Sequence, residues 1–565
     1  MHGHAIPDAM GFDNYLEPFL ISREPRLRTY ISRLTDFRQW VLTDVDAQAN
    51  YTDRYAPPAL ETYDRSGGVA NRIVVNPWYD GQHQEVYRRG AVGLPYCEAA
   101  PHLLSFAMGF LLSQADISLH CPVTLTGAVA YVLAHHASAD IRDKYLHEVT
   151  RMDGRTATGG TWVTEQHGGS DVGATTATAI PQDGRFALHG LKWFTSNANS
   201  GLALATARPQ GAGPGLTGLG LYLVPSHMDD GSKNRYLIRR LKDKLGTKGL
   251  PTGEIELAGA DAVEVAGPPH GFRLMMAALE YSRVHNGVGA AGVQRRALRE
   301  ALQWARSRRA FGHTLAEYPM VQDELLGIRV RFEAGALLAF ESALAFDTAL
   351  ADTTSGTWVR LVTALAKYLT AEDAICATRA TLELTGSNGY TSDFPIARIH
   401  RDAQVLTVWE GPANIQALEL LRLLAPKYAG AAQYERRVRG IIDILPATMS
   451  RLSRALDSRL NEDLAAIVFV TADEVRAQRH ARKLLHRLSH SLAFALMCEA
   501  AAQAHSSGDD RRVLTATRYY EELEAPKLGA EDERVHRAAL ELLEDEPVPE
   551  TSRTFTSATR ASNGD

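Results

Sequence analysis

The sequence predicts a mainly α-helical protein with a small β-domain in the middle of the chain. Long apolar stretches with helical periodicity occupy the first quarter and the second half of the sequence. Between about 157 and 265 they give way to short β-like runs separated by glycine- and proline-rich turns. The 565 residues exceed what one hydrophobic core organises, so several domains are expected.

Two domains are predicted in the first half of the chain. Residues 1–155 are expected to form helices and loops, with helices at 99–115, 123–135 and 142–149. Pro122 suits the first turn of the second helix, where a backbone N–H is not needed. Residues 156–265 are expected to form a β-barrel or sandwich. Its strands are predicted at 158–163, 186–189, 191–195, 202–206, 219–224 and 253–257.

Helical periodicity returns after 266 and predicts two further domains. Antiparallel helices at 272–307, 319–346, 357–384 and 414–424 would form a four-helix bundle over 266–430. An additional helical domain is expected over 431–546, with helices at 434–445, 463–490, 492–505 and 538–543. The end of the chain, 547–565, is rich in Thr, Ser and charge and is predicted to be disordered.

Composition excludes several classes of protein. No run of about 20 apolar residues appears, so no membrane span is expected. The N-terminus lacks a basic segment followed by an apolar run, so no signal peptide is expected. The four cysteines are far apart and form no CxxC pair, which favours a reducing cytoplasm over a disulfide framework. No Cys/His cluster has metal-ligand spacing, so no metal site is expected.

A single glutamate, Glu410, is the strongest candidate for catalysis. It lies in the pentapeptide Val-Trp-Glu-Gly-Pro (408–412), between helical patterns. Aromatic and apolar neighbours remove hydration from a carboxylate, so its charged form is disfavoured and its pKa rises. A glutamate with a raised pKa accepts protons near neutral pH, as a general base must. Taken alone, a structural role for a buried glutamate fits equally well.

Three other segments carry ligand-binding potential. The turn at 163–172, with Thr164, two glycines and Ser170, presents backbone N–H groups and hydroxyls, although an ordinary β-turn also fits. Trp193, Phe194 and Thr195 can form an aromatic platform or part of a barrel core. The segment 308–312, Arg-Arg-Ala-Phe-Gly, can pair with a pyrophosphate or oppose a helix dipole.

Glu410, the 163–172 turn and the 308–312 segment, in their order along the chain, resemble the acyl-CoA dehydrogenase flavoprotein family over about 80–430. Gln166-His167, Trp409 and the Gly-Pro-Ala-Asn run at 411–414 are similar to the AidB-like branch. The resemblance implies an acyl-CoA dehydrogenase-like fold that binds FAD. It implies cofactor contacts from Val163, Thr164, Gly169, Ser170, Trp193, Phe194, Thr195, Arg308, Phe311, Gln322, Glu383, Gly386, Val408, Trp409 and Asn414. Glu383 stands where the family usually has Gln.

The same resemblance implies a reaction and an assembly. Glu410 would remove the α-proton of an acyl thioester or related derivative, with the β-hydride passing to flavin N5. Ser282 cannot act as a base at neutral pH, and Glu280, two residues away, would face elsewhere on the helix. Substrate contacts are expected from Ser170, Ser196, Ser282, Arg283 and Thr126. The family pattern also implies a homotetramer in which the 308–312 segment reaches the neighbouring subunit's FAD.

Two other functions stay open at this point. Arg476, His480, Lys483, Arg487 and His490 form a basic stripe at helical spacing, which would suit DNA phosphates. Acidic residues nevertheless outnumber basic ones from 431 to 565, whereas DNA-binding domains are usually basic. Alternatively, the same fold would serve a flavin-dependent oxidase or monooxygenase acting on a nitrogen-containing metabolite. For Glu165, a structural hydrogen-bonding role is expected.

Overall fold

The computed structural model describes residues 12–524 together with Leu540 and Leu543. It confirms the predicted fold class: an N-terminal helical region, a central β-domain, a helical bundle and an additional helical region follow one another along the chain. The predicted helix at 538–543 falls mostly outside the described residues, and the predicted disordered end at 547–565 lies wholly outside them.

The N-terminal region contains eight helices and one hairpin within the described residues. Their bounds are α1 Leu16–Arg23, α2 Ile31–Trp40, α3 Asp46–Tyr55, β1 Ala59–Tyr63, β2 Val69–Val74, α4 Pro77–Arg88, α5 Leu94–Cys97, α6 His102–Ser113, α7 Ile117–His135 and α8 Ala139–Thr150. Every residue of α6 is buried, which makes it a core helix. The antiparallel β1–β2 hairpin was not predicted, since its mostly half-exposed residues show no apolar alternation.

The start of α7 corrects a sequence prediction. The helix begins at Ile117 rather than at 123, and Pro122 lies inside it. The Asp116 side chain caps the new start by accepting a 2.7 Å hydrogen bond from the Ser118 N–H. An aspartate at this position satisfies a backbone donor that the first turn leaves free, so the cap outweighs the preference of proline for the first turn.

The β-domain is a barrel with two flanking strands. Its strands are β3 Gly159–Trp162, β4 Thr178–Gln182, β5 Arg185–Ser196, β6 Leu202–Pro209, β7 Gly220–Pro225, β8 Tyr236–Leu241 and β9 Thr252–Ala266. The path β6–β4–β5–β9–β7 closes on itself because β7 pairs with both β9 and β6. Strands β3 and β8 add to β6 and β9. The two runs predicted at 186–195 are one strand, and β4 and β8 were missed.

The bundle matches its predicted helices within a few residues. Its elements are α9 Gly271–Ser307, β10 Arg309–Ala310, β11 His313–Thr314, α10 Pro319–Ala351, α11 Gly356–Thr385, α12 Pro395–Leu406 and α13 Ala413–Leu424. Helices α9, α10 and α11 pack against one another, and α13 packs on α11. The short helix α12 was not predicted. It is held to α3 by polar contacts, including an ion pair between Arg401 and Asp53.

The additional helical region packs directly on the bundle. Its helices are α14 Gly430–Ile444, α15 Ser450–Thr471, α16 Glu474–Ser506 and α17 Arg511–Leu523. The predicted break near 491 is absent, and the break falls before Asp473, which caps α16 by accepting from the Arg476 N–H at 2.8 Å. Arg437 joins the region to α10 through Glu341 at 2.8 Å, and it also binds Glu499 at 2.6 Å.

Two helices, α7 and α10, are long and apolar enough to cross a bilayer by composition alone. Their most apolar windows are 89% and 67% buried inside the protein, respectively. Both therefore serve as core helices of the folded chain.

Candidate active site

Glu410 lies in a tight turn between α12 and α13. Glu410 and Gly411 both adopt left-handed backbone conformations, with φ of 59° and 96°. Such a conformation costs a residue with a Cβ about 1–2 kcal/mol, so other contacts must hold the turn. Arg283 Nε and Gln416 Nε2 each donate to the Glu410 carbonyl oxygen at 3.0 Å. Lys367 Nζ donates to the Gly411 carbonyl oxygen at 2.8 Å.

The Glu410 carboxylate is poised as a base. Its Oε2 is buried and has no hydrogen-bond partner among the described residues. Burial raises the pKa of Glu410 to about 7, although Arg283 and Lys367 act to lower it, and the nearby Glu280 carboxylate raises it further. A carboxylate with a pKa near the working pH combines a useful ionised fraction with enough basicity to accept a proton.

An apolar wall lies beside this turn. Cys121, Leu125 and Leu250 pack together, and Trp409 packs against them. Cys121 and Leu125 are four residues apart and so share one face of α7. Ser196, at the end of β5, lies beside the Cys121 thiol. Burial raises the pKa of Cys121 to about 12, so the thiol is neutral, and Glu410 is close enough to contribute to that shift.

The loop at 163–172 rests on a buried ion pair. Glu165 Oε1 lies 2.8 Å from Lys192 Nζ, and both side chains are buried. Glu165 Oε2 accepts from the N–H of Thr176 at 2.8 Å and from its hydroxyl at 2.6 Å. The carboxylate is thus fully engaged, which agrees with the structural role expected for Glu165 from the sequence.

The outer part of the same loop presents free donors. A Cβ at Gly169 would lie 2.6 Å from Thr164 Oγ1, so only glycine lets the loop fold back over Thr164. Residues 166–171 are exposed. Among the described residues, the backbone N–H groups of Gly169 and Ser170 have no acceptor. Such donors suit the polar edge of a cofactor.

Two aromatic side chains lie next to the loop. The backbone N–H of Trp193 donates to the backbone carbonyl of Thr164 at 2.9 Å, which joins β5 to the loop after Val163. Phe194 is 51% exposed. Lys242 Nζ lies 3.5 Å from the centroid of the Trp193 ring. An exposed phenylalanine ring and a half-buried tryptophan ring beside free N–H donors fit a flat heteroaromatic group with polar edges, as in a flavin. The Thr195 hydroxyl donates to the Gly253 carbonyl at 2.8 Å, so its flavin contact stays a prediction.

The remaining predicted cofactor residues lie at the end of the bundle or beside the Glu410 turn. Residues 308–314 form a two-stranded hairpin whose tip carries Phe311, 96% exposed with φ of 52°. Gln322 lies in the first turn of α10, and its Nε2 donates to the Ala316 carbonyl at 2.9 Å. Glu383, paired with Arg379 at 2.6 Å, precedes Gly386, whose φ of 70° ends α11. The other predicted cofactor contacts are Val408 and Asn414, whose exposed side chains lie on either side of the Glu410 turn in the sequence.

Two predicted substrate residues lie apart from any open surface. The buried Thr126 hydroxyl contacts the Gly159 N–H at 2.8 Å and the Tyr87 hydroxyl at 2.9 Å. The Ser282 hydroxyl, also buried, donates to the Ala278 carbonyl of its own helix at 3.1 Å. Both hydroxyls are used within the protein, so these contacts do not support their expected place in the substrate cavity. Arg283, by contrast, contacts the Glu410 turn as described.

Two members of the basic stripe on α16 already have partners within the protein. Arg487 pairs with Glu462 at 2.8 Å and with Asp463 at 2.6 Å. His490 Nδ1 lies 2.7 Å from the Tyr519 hydroxyl. An ion-paired arginine has little charge left to offer phosphates, so the structure does not favour the DNA-binding alternative.

Two charged residues near Glu410 were not anticipated. Lys367 is buried and stands alone as a cation in the apolar run 361–371, a pattern that already indicates a buried lysine. Glu280 was expected to face elsewhere, yet its carboxylate lies 3.4 Å from Arg283 Nη1. Residues three apart on a helix share a face, and that spacing was the available signal.

Family models match three successive parts of the chain. The N-terminal domain of the adaptive response protein AidB matches residues 21–153. The middle and C-terminal domains of acyl-CoA dehydrogenase match residues 160–260 and 269–424. The chain belongs to the acyl-CoA dehydrogenase family. The AidB N-terminal match assigns it to the AidB-like branch, as the sequence predicted, and the cofactor of this flavoprotein is FAD.

Relatives support the same assignment. Acyl-CoA dehydrogenase family member 11 of Caenorhabditis elegans is 28% identical over 82% of this chain and 79% of its own. The crystal structure of C. elegans ACDH-11 in complex with C11-CoA superimposes with a TM-score of 0.85 at 25% identity, covering 97% of this chain and 99% of that one. The putative acyl-CoA dehydrogenase AidB of Escherichia coli is 29% identical over 65% of this chain and 69% of its own. This acyl-CoA dehydrogenase-like protein is therefore an oxidoreductase acting on CH–CH bonds.

Proposed function

We propose that Glu410 removes the α-proton of an acyl thioester in an α,β-dehydrogenation. The observation that carries this proposal is the buried Glu410 Oε2, which has no partner among the described residues and belongs to a carboxyl whose pKa is raised to about 7. Glu165, for which a structural role is expected, differs from Glu410 because both of its carboxylate oxygens accept hydrogen bonds from groups within the protein.

The backbone of the turn provides a hydrogen-bond donor for the substrate. Among the described residues the Glu410 backbone N–H has no acceptor, so it is free to donate to the thioester carbonyl oxygen. That hydrogen bond would stabilise the negative charge that develops as Glu410 takes the proton. Arg283 and Gln416 hold the Glu410 carbonyl and so keep this residue in place before the reaction. Bound FAD supplies the acceptor for the hydride that leaves the β-carbon.

The substrate class follows from the wall beside the turn. Cys121, Leu125 and Leu250 are buried together beside the turn that carries Glu410, and the half-buried Trp409 packs against them. The groups beside the base are thus neutral and apolar, which suits an acyl chain rather than a charged group. A relative of this chain was crystallised with C11-CoA, which supports an acyl-CoA or another acyl thioester as the substrate.

We propose a homotetramer, arranged as a dimer of dimers. The hairpin tip at Phe311 is almost fully exposed, and a large apolar side chain in that position favours burial against a second copy of the chain. There Arg308 would meet the partner's FAD. Phe311→Ala is expected to reduce both the tetramer fraction, measured by light scattering, and the FAD content.

The cysteines among the described residues are free, which fits a cytoplasmic location.

An anaerobic titration tests the catalytic proposal. The FAD-loaded protein is mixed with a panel of acyl-CoA thioesters, free acids and amines while the flavin absorbance is recorded. A thioester is expected to bleach the wild-type flavin, and Glu410→Gln is expected to slow bleaching by about 10²–10⁴-fold. Glu256→Gln, at an exposed glutamate of the β-domain, serves as the control and should bleach normally.

Two outcomes would contradict the proposal. Equal bleaching in wild type and Glu410→Gln would remove Glu410 from the chemistry. Failure of every thioester, together with oxygen-dependent modification of an amine by the reduced flavin, would establish the monooxygenase alternative.

A further inference from the structure

A buried lysine forms hydrogen bonds to both sides of the turn that carries Glu410. Lys367 lies on α11 and is 1% exposed. Its Nζ donates to the Gly411 carbonyl at 2.8 Å and to the Thr407 carbonyl at 3.3 Å. These two carbonyls bracket Glu410, so one ammonium group joins both sides of the turn to the bundle.

We propose that Lys367 is a positioning residue for the base: its ammonium clamps the turn at 407–411 and keeps a positive charge beside the Glu410 carboxylate. The inference rests on the proposed role of Glu410. A lysine is costly to bury, and a neutral donor could also reach the two carbonyls, although with weaker hydrogen bonds than an ammonium makes. Besides strengthening these hydrogen bonds, the charge favours the ionised form of the neighbouring base.

The other titratable groups near this pair come from helices α9, α7 and α11. From α9, Arg283 favours the charged form of Glu410 and Glu280 opposes it. From α7, the Cys121 thiol is neutral. Arg283 also opposes the charge on Lys367, whereas Glu372, on α11, favours that charge. Arg283 already binds Glu280 at 3.4 Å, so part of its charge is offset and Lys367 supplies a second positive charge.

Lys367 and Glu410 act on each other. Burial lowers the pKa of Lys367 to about 8, with Glu410 opposing that shift. Below about pH 8 the ammonium is charged and helps to keep Glu410 ionised. Without that charge, burial and Glu280 would act on Glu410 with only Arg283 to oppose them, so the pKa of Glu410 would rise above about 7.

A matched control is present in the same region. Lys244 is also mostly buried, with its pKa lowered to about 8, and its Nζ donates to the carbonyls of Thr247 and Leu250, both at 2.7 Å. The titratable groups that act on it are the neutral Cys121 thiol and Asp402, not Glu410. Lys244→Met thus removes a comparable buried cation and its carbonyl contacts without removing charge next to the base.

The first measurement is the pH dependence of flavin reduction by the best thioester. In wild type the rate should rise with pH through an apparent pKa near 7, because the ionised carboxylate is the active form. Lys367→Met should move this limb upward by about one pH unit, the low end of the shift produced by a nearby opposite charge. Lys367→Arg keeps the positive charge and should show the wild-type pH limb. Lys244→Met should also leave the pH limb unchanged.

The second measurement needs neither FAD nor substrate. The difference in Tm between each apo-protein and its Glu410→Gln version, followed against pH, reports the pKa of Glu410 in the folded state. The difference changes between the pKa of Glu410 in the unfolded chain and its pKa in the folded protein, so the upper end of the change should lie near pH 7 in the wild-type background and about one unit higher in the Lys367→Met background. If Lys367→Met does not fold, Lys367→Gln removes the charge while keeping a donor and takes its place.

The outcomes separate the two proposals. If the charge-removing variant changes neither the upper end of the Tm difference nor the pH limb, and only lowers the rate at every pH, the electrostatic role is overturned and only a structural one is left. Undiminished flavin reduction by Glu410→Gln in the wild-type background would instead overturn the proposed function, whatever Lys367 does.

Discussion

Arg283 Nε lies 3.0 Å from the backbone carbonyl oxygen of Glu410. The same guanidinium lies 3.4 Å from a carboxylate oxygen of Glu280, so one buried cation holds the backbone of the base and also favours the charged form of both carboxylates. This arrangement helps to explain why Glu410 is partly ionised near neutral pH although burial raises its pKa.

Replacing that cation should impair the base. Arg283→Met would leave Glu280 unpaired and raise the pKa of Glu410, so flavin reduction at pH 7 should fall at least about tenfold, equivalent to roughly 1.4 kcal/mol. Arg283→Lys retains the charge and should lose less. Stopped-flow absorbance measures both, with the exposed Arg239→Met as the control. A wild-type rate in Arg283→Met would show that the contact is dispensable.

Glu410 should weaken the fold above neutral pH. Its folded-state pKa is raised from 4.5 to about 7, so the folded protein holds a proton that the unfolded chain releases. Stability therefore falls, relative to a neutral side chain, as pH rises from about 4.5 through 7. Apo Glu410→Gln should match wild type below about pH 4.5 and exceed it by about 1–3 kcal/mol above pH 8. Chemical denaturation at several pH values tests this, and an equal gain at every pH would contradict it.

The buried pair of Glu165 and Lys192 should be essential to the cofactor loop. Lys192→Met leaves an unpaired buried carboxylate and should cost about 3–5 kcal/mol of unfolding free energy. Adding Glu165→Gln should recover part of that loss, because the uncompensated charge is then removed. Lys144→Met, which breaks the exposed pair with Asp229, should cost less than about 1 kcal/mol. Urea denaturation of the apo-proteins compares them, and equal losses would contradict the prediction.

Gly169 should be required for FAD binding. Gly169→Ala would place a Cβ 2.6 Å from Thr164 Oγ1, so the loop must shift away from its position over Thr164. We expect FAD affinity to fall at least about tenfold, roughly 1.4 kcal/mol, by fluorescence titration of the apo-protein. Gly213→Ala is the control, since a Cβ there meets no atom within 4 Å. Unchanged affinity in Gly169→Ala would show that this loop does not carry the flavin.

Arg437 should attach the additional helical region to the bundle. It binds Glu341 on α10 at 2.8 Å and Glu499 on α16 at 2.6 Å, and Glu341 is buried. Arg23 also pairs with Glu341, at 3.2 Å, so Arg437→Met weakens a shared network and should cost about 1.5–3 kcal/mol. Arg439→Met, two residues along, breaks an exposed pair with Glu435 and should cost about 0.5 kcal/mol or less. Hydrogen exchange in α14 and α16 would locate the effect, and identical exchange in the two variants would rule it out.

Much of the fold was readable from the sequence. The bundle helices at 272–307, 319–346 and 357–384 were predicted within about five residues, because each is long and carries a wide apolar face. Less regular elements were missed. Helix α12 is short, rich in polar residues and held by ion pairs to α3, and strand β8 is short and partly exposed, so neither shows the apolar pattern that prediction relies on.

By itself, the sequence determined the fold class, the family and the identity of the candidate base. The glutamate between an aromatic residue and Gly-Pro is a local pattern, and local patterns need no long-range information. Only the tertiary structure decided what surrounds that base. Glu280, Arg283 and Lys367 come from helices 43 to 130 residues away, and their charges reach Glu410 only after α9 and α11 have packed against the turn. Electrostatic coupling depends on distance in space, which the order of residues along a chain does not specify.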